Sequence, residues 1–354
     1  MTTHDTNARS RTTRREAGLV QRVRASLRRG FERDSQPQIL IACSGGMDSV
    51  ALTDVLSSLC RTGDIAAQIV HIDHGVREDS AAAADLVEAF ATSLGLPFHL
   101  RRLSPDVLGR HPGVGIEEAL RRERYRAVAD VAVSIGADAI AVGHHQRDQA
   151  ETVLLHLIRG AGLAGASGMR EWSDFDVPWW LRDEPRTRLR VWRPFLAEPY
   201  SVIQTWHESQ GLPLAEDETN ANHTFRRNAI RHDILPRLES IMPGSTGNLA
   251  RFAELAAVDD ASLQRLAGEI LGTRNAGTLD RAVLMHLDVA LQRRIVRQWL
   301  ETHRFDGELS LDRIDAVCEL ARRNRSGAVV EIGAGWHVRI DRGVLSVRLA
   351  KRVP

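Results

Sequence analysis

The chain has 354 residues, is 43% hydrophobic and carries a formal net charge of +1. Its length accommodates two domains, or one large domain with an appendage. No segment approaches the roughly 20 uninterrupted apolar residues of a membrane span, and the polar start MTTHDTNARSRTTRRE lacks the apolar stretch of a secretory signal. Cys43, Cys60 and Cys318 are odd in number, widely spaced and free of any C-x-x-C pair. That pattern argues against a disulfide framework and a Cys-bound zinc or iron–sulfur site, and points to a reducing compartment, the cytoplasm.

In chain order, residues 1–35 read as an Arg-rich N-terminal extension. Residues 1–34 hold nine Arg against Asp5, Glu16, Glu32 and Asp34. Arg suits bidentate phosphate contacts, so this segment is expected to add affinity for RNA without specificity; an Arg-rich genome composition would explain it equally.

From Gln38 the pattern alternates. QILIAC is a strand, followed by a helix from Asp48 to about Cys60. A strand over 66–72 leads to a helix over 80–94, a short strand over 97–100 and an amphipathic helix from Ile116 to about Ile135. A strand over 137–143 feeds a helix from Gln146 to Ile158. Strands alternating with helices of ten or more residues predict an α/β fold, a doubly wound, mostly parallel sheet over 36–242. Residues 170–192, rich in Trp, Arg, Asp and Pro, read as an irregular insertion. A helix over 201–210 precedes a hinge at Met242–Ser245. Beyond it, helices over 247–271, 281–303 and 311–324 and three short strands at 329–332, 337–340 and 344–349 make 243–354 a smaller α+β domain, expected to bind substrate.

Ser44-Gly45-Gly46-Met47-Asp48-Ser49 follows the first strand and opens a helix. Such a loop aims backbone N–H groups and a helix N-terminus at one point, which suits phosphate oxygens. The glycines admit close approach, and Ser44 and Ser49 offer hydroxyl donors. Asp48 repels phosphate unless a Mg²⁺ lies between them. A Walker loop needs a Lys beside its second Gly, and Lys351 is the chain's one lysine. An ordinary strand-to-helix turn fits the same residues.

His71-Ile72-Asp73-His74-Gly75-Val76-Arg77 closes the second strand, with His71 and Asp73 on one face; a strand-end cap or a metal pair are the other readings. His144-His145-Gln146-Arg147-Asp148-Gln149-Ala150-Glu151 opens a helix, placing His144, Asp148 and Glu151 at i, i+4 and i+7. Acids in a first turn also simply complement the helix dipole. Glu118…Arg124-Tyr125 would ordinarily be a solvated helix face. Gly160–Gly165 matches GxGxxG, but it follows a helix rather than a strand, which removes its meaning as a dinucleotide fingerprint.

Together these pieces resemble the PP-loop ATP pyrophosphatases, and across residues 38 to about 240 the tRNA(Ile)-lysidine synthases. The matching runs, in family order, are SGGMDS, HIDHGVR, the Glu118…Tyr125 helix, GHHQRDQAETVLLHLIRGAGLAG, Arg193-Pro194-Phe195-Leu196, and Asp217…Asn220 through Arg227-Asn228-x-Ile230-Arg231…Pro236. The resemblance implies ATP-dependent ligation of free L-lysine to C2 of the wobble cytidine in the CAU anticodon of isoleucine tRNA. AMP and pyrophosphate would be released through an adenylylated cytidine. It implies ATP contacts from Ala42, the Ser44–Ser49 loop, His71, Ile72, Asp73 and His74, and Mg²⁺ on Asp48. Arg124 and His144 would stabilise developing charge, and Asp148 and Glu151 would hold the lysine ammonium groups. Arg77, Arg159, Asn228 and Arg231 would touch substrate. Arg147, Asn222 and Phe225 depart from the family's usual residues and carry no catalytic expectation. The chain is expected to do without the extra C-terminal domain of longer members. A tRNA thiolase of the same superfamily or a non-catalytic tRNA-binding protein are the competing readings.

Overall fold

The computed structural model describes residues 18–73, 80–104, 106–181, 185–215, 226–272, 277–303 and 309–349. They form two compact units, residues 1–254 and 255–354. The division falls inside one long helix, further along than the turn at Met242–Ser245.

In the first unit, helix α1 spans residues 18–30. Strands and helices then alternate: β1 Gln38–Ala42, α2 Met47–Arg61, β2 Ala66–Asp73, α3 Ser80–Leu94, β3 Phe98–Arg102, α4 Val107–Arg110, α5 Ile116–Ile135, β4 Ala139–Ala141, α6 Gln146–Ile158 and α7 Leu163–Ala166. A hairpin, β5 Trp172–Val177 and β6 Thr187–Trp192, precedes α8 Tyr200–Gln210 and α9 Arg226–Ala229. A π-helical turn at Ile230–Ile234 leads into α10 Leu235–Ile241 and then α11 Ser245–Gly272, the helix in which the division falls.

The sheet order is β3-β2-β1-β4-β6-β5, parallel except for the β5–β6 pair. The central strand explains why both faces are covered. Ile39 and Ile41 point into one apolar layer with Val50, Leu52 and Val55 of α2, Val87 of α3 and Ile203 of α8. Leu40 points the other way, into a layer with Val70 and with Val128, Val131 and Ala132 of α5. A strand apolar at four successive positions, Ile39 to Ala42, belongs in the middle of such a sandwich. The α/β expectation holds, and ligands of such sheets sit beyond the strand C-termini.

Two expectations need correction. Residues 18–30 are not an extension: Leu19, Val23 and Leu27, spaced one helical turn apart, are at most 1% exposed in the first layer. The arginines of α1 are committed within the fold. Arg22 pairs with Glu198, Arg24 and Arg28 share Asp64, and Arg29 grips Glu171. These four are docking groups for α1 rather than free phosphate ligands, while Arg9, Arg11, Arg14 and Arg15 lie outside the described residues. The described part of residues 170–192 is likewise not irregular, since most of it forms the strands β5 and β6. Trp172 pairs with Trp192 across the β5–β6 ladder, and their rings stack at 5.2 Å with 5° between planes. Arg190 lies 4.7 Å over Trp172, a cation–π contact that a Trp- and Arg-rich composition disguises.

The second unit holds β7 Thr278–Asp280, α12 Arg281–Met285, α13 Val289–Thr302, α14 Leu311–Arg323, β8 Val329–Gly333, β9 Trp336–Asp341 and β10 Val344–Leu349. Its antiparallel sheet runs β7-β10-β9-β8. Trp299, Leu300, Ile314 and Val317 from the helices bury against Ile332, Val338, Ile340 and Leu345 from the strands. The strand β7 escaped the sequence pattern because it is short, with only Leu279 buried. The single helix expected over 281–303 is broken between α12 and α13, where Gln292 donates back to the Leu287 carbonyl. No described helix is long and apolar enough to cross a membrane.

Candidate active site

The loop between β1 and α2 is built by its own small residues. Gly45 has φ +89°, a backbone state that L side chains rarely adopt, and its carbonyl accepts from the Ala215 amide at 3.0 Å. Ser49 Oγ accepts from the Ser44 amide at 3.1 Å and donates to the Gly46 carbonyl at 2.9 Å. The Ser49 hydroxyl therefore shapes the loop. No side chain caps the N-terminus of α2 at Gly46, leaving that end open to an anion.

Gly143 brings the next segment against this loop. A Cβ there would lie 2.9 Å from the Asp48 carbonyl oxygen, so only glycine allows the approach. His145 follows as the N-cap of α6. Its Nδ1 accepts from the Arg147 amide while Asp148 Oδ2 accepts from the His145 amide, a reciprocal cap. The other edge of the His145 ring places Nε2 3.5 Å from both Asp48 Oδ2 and Asp148 Oδ2. Phosphate loop and α6 carboxylates thus meet through one buried histidine. Helix α6 begins at Gln146, so His144 lies before it and is brought to the site by the loop rather than by helical spacing.

Asp148 and Glu151 are 6% and 0% exposed. Arg231 donates from Nε to Glu151 Oε1 at 2.5 Å and from Nη2 to Asp148 Oδ1 at 2.6 Å. Arg227 donates from Nε to Glu151 Oε2 at 2.9 Å and from Nη2 to Asp148 Oδ1 at 3.3 Å. The aspartate's acidity is strengthened. Its pKa falls, although burial opposes this, because His145, His144 and the two guanidiniums favour its charged form.

At the end of β2, His71 and Asp73 are both buried. His71 Nδ1 lies 2.9 Å from the Cys43 carbonyl, tying β2 to the base of the phosphate loop. Arg102 approaches Asp73 at 3.4 Å. Ala42 and Ile72 are half-buried on the α5 side of the sheet. Arg124 is exposed on α5, and Asn228 is half-buried in α9 beside the two cage arginines. Arg159 is the C-cap of α6, exposed, and about 16 Å along the helix axis from Asp148; the fold does not bring it to the carboxylates. His74, Arg77, Asn222 and Phe225 lie outside the described residues.

Residues 19–238 match the PP-loop domain family and residues 279–346 match the TilS substrate binding domain. The tRNA(Ile)-lysidine synthase of Geobacter sulfurreducens is 34% identical over 82% of this chain and 60% of its own length. That of Symbiobacterium thermophilum is 33% identical over 92% of the chain and 68% of its own length, and that of Thermosynechococcus vestitus 32% over 86% and 84%. The chain belongs to the tRNA(Ile)-lysidine synthase family. It spans about three fifths of the Geobacter relative. The U34-tRNA thiolase of Methanococcus maripaludis, a structure with an iron–sulfur cluster, shares the fold at TM-score 0.56 and 18% identity, over 70% of this chain and 80% of that one.

For this lysidine-synthase family member, sequence reasoning missed three contributors. Arg227 stands in the sequence only as part of a motif, yet its spacing four residues before Arg231 is the signal that both reach one cage. His145 is overshadowed in the sequence by its neighbour His144. Tyr200 lies 5.3 Å from the His145 ring and under the Arg147 guanidinium, and its hydroxyl donates to Met47 Sδ. Arg147 also donates to the Arg231 carbonyl at 2.6 Å, so the departure from the family residue is absorbed as a strut.

His144 Nδ1 is buried without a partner. Burial, with Arg193, Arg227 and His145 adding to it and Asp148 opposing, pushes the His144 pKa down to about 3. The ring is neutral at neutral pH. Between about pH 3 and an unfolded value near 6.5 the unfolded chain binds the extra proton, so this residue makes stability fall as pH falls through that window. Urea titrations of the wild type and of His144→Asn at pH 7 and pH 5 should show a smaller acid loss in the variant. Equal losses would mean that His144 titrates normally.

Proposed function

We propose that the chain is an ATP-dependent ligase that joins free L-lysine to C2 of the wobble cytidine in the CAU anticodon of isoleucine tRNA, giving lysidine, AMP and pyrophosphate. The observation that carries this reading is the junction of two chemistries at one rim. An anion-ready loop bearing Asp48 touches, through His145, a buried pair of carboxylates suited to a diamine.

The C2 oxygen of cytosine is a poor leaving group, and AMP transfer to it makes a good one. The loop N–H groups and the α2 N-terminus would hold the ATP phosphates. Asp48 Oδ1 is buried without a hydrogen-bond partner, an oxygen that fits a divalent cation. No group of three or more metal-ligating side chains exists among the described residues, so Asp48 would hold Mg²⁺ together with phosphate oxygens. Bound there, Mg²⁺ would neutralise charge on the phosphates. His144, neutral, offers a hydrogen bond without repelling a cation, and exposed Arg124 would meet phosphoryl charge. Asp148 and Glu151 would fix the lysine so that one amine, deprotonated, faces C2. Free lysine, ATP and tRNA as substrates place the reaction in the cytoplasm.

Total tRNA incubated with labelled lysine should gain label only when ATP is present, and AMP rather than ADP should accumulate in step. Label that enters without ATP, or ADP in place of AMP, would overturn the reading. The thiolase alternative is disfavoured by its chemistry: Cys43 is buried, and burial pushes the thiols of Cys60 and Cys318 up to about 11.

A further inference from the structure

The carboxylate cage is already full. Asp148 and Glu151 bring two negative charges, Arg227 and Arg231 bring two positive ones, and the adjoining His144 is neutral. A cationic substrate cannot simply be added to this set without leaving a buried excess of charge, which is costly. It can enter by exchange, one cation leaving as another arrives.

The two arginines are not equivalent candidates for leaving. Arg231 has 25% of its side chain exposed, makes contacts of 2.5, 2.6 and 3.1 Å, and its backbone carbonyl is held by Arg147. Arg227 has 42% exposed, and its contacts are 2.9 and 3.3 Å. Its side chain is already the more exposed of the two, so moving it into water gives up the weaker share of the cage.

We infer that Arg227 is a stand-in for the substrate's ammonium group: it occupies the outer position against Glu151 and Asp148, and the incoming amine displaces it while Arg231 stays. This inference rests on the lysine reading above. It makes Arg227 a specificity-determining residue, because only a ligand bearing a positive charge restores the cage to neutrality. Neutral analogues would leave a carboxylate unpaired. The competition also lowers apparent affinity, by the fraction of time the position is vacant.

Calorimetric titration of the full chain with L-lysine reads this directly. Arg227→Gln should bind lysine about tenfold tighter than wild type, the gain expected if Arg227 fills the position about nine-tenths of the time. Equal or weaker binding would overturn the stand-in. A second measurement uses the wild-type chain. Phenylglyoxal modification of Arg227, located by peptide mass, should rise when lysine is added while Arg231 stays protected. Unchanged or reduced modification of Arg227 would equally overturn it. Labelled-lysine incorporation into tRNA tests the underlying reading separately, so a chain that modifies tRNA but shows neither effect loses only the exchange.

Discussion

Replacing Asp48 with Asn should lower tRNA-dependent pyrophosphate release about a thousandfold and leave the melting temperature within a few degrees of wild type. Asn keeps the size and one oxygen but removes the charge that would hold a cation at the phosphates. Metal stabilisation of transferring phosphoryl groups contributes several kcal/mol, and each 1.4 kcal/mol is tenfold in rate. The fold has little at stake. The Asp48 side chain is 33% exposed, and the His145 ring nitrogen beside it stands 3.5 Å away. As an acid in the first turn of α2 it contributes about 0.3–1 kcal/mol through the helix dipole. A variant with activity within tenfold of wild type would remove Asp48 from the metal and phosphate chemistry. A variant that melts far lower would show that the residue is structural.

Much of the fold is legible in the sequence because period carries it. The run Ile39-Leu40-Ile41 can only be a strand buried on both faces, and both layers are found there. The four parallel strands up to β4 follow from alternation with helices. What stayed hidden was carried by side-chain pairing. Thr187–Trp192 alternates, with Leu189 and Val191 buried, yet its arginines, like the aspartates of Trp172–Val177, look like loop until Arg188 meets Asp174 and Arg190 covers Trp172. Helix α1 was hidden for the same reason. Its charge suggested a tail, and only the fold reveals Asp64, Glu171 and Glu198 waiting for it.

The candidate site divides in a similar way. Loop and helix-start residues such as Asp48, His144 and Asp148 announce themselves because their spacing is local. Contacts between segments far apart in sequence do not. Glu151 meets Arg227 and Arg231, separated from it by 76 and 80 residues, and nothing in local spacing ties them together. Gly143 is similar: its need for glycine comes from the Asp48 backbone in another βα unit.

Arg231→Ala should cost about 3–5 kcal/mol of stability, the usual penalty for stripping one partner from a buried ion pair. Glu151 has no exposure, so its charge cannot be rescued by water. Arg227 remains but its Nε and Nη2 are already committed to the same two acids. The cost depends on pH in a definite direction. In the wild type Arg231 is one of the charges that hold the Asp148 carboxyl below its ordinary range, so the folded state releases a proton that the unfolded state still binds. Stability of that kind is present above the unfolded carboxylate pKa and is lost as pH falls. The gap between variant and wild type should therefore narrow as pH is lowered from 7 towards 4. Removing the charge on the other side should close it as well: Arg231→Met combined with Glu151→Gln should be more stable than Arg231→Ala alone. Urea titrations of the three chains at pH 7 and pH 4.5 measure both effects. A gap under 1 kcal/mol at pH 7, or one that widens in acid, would mean that the carboxylates find another partner and that Arg231 is not what holds the cage together.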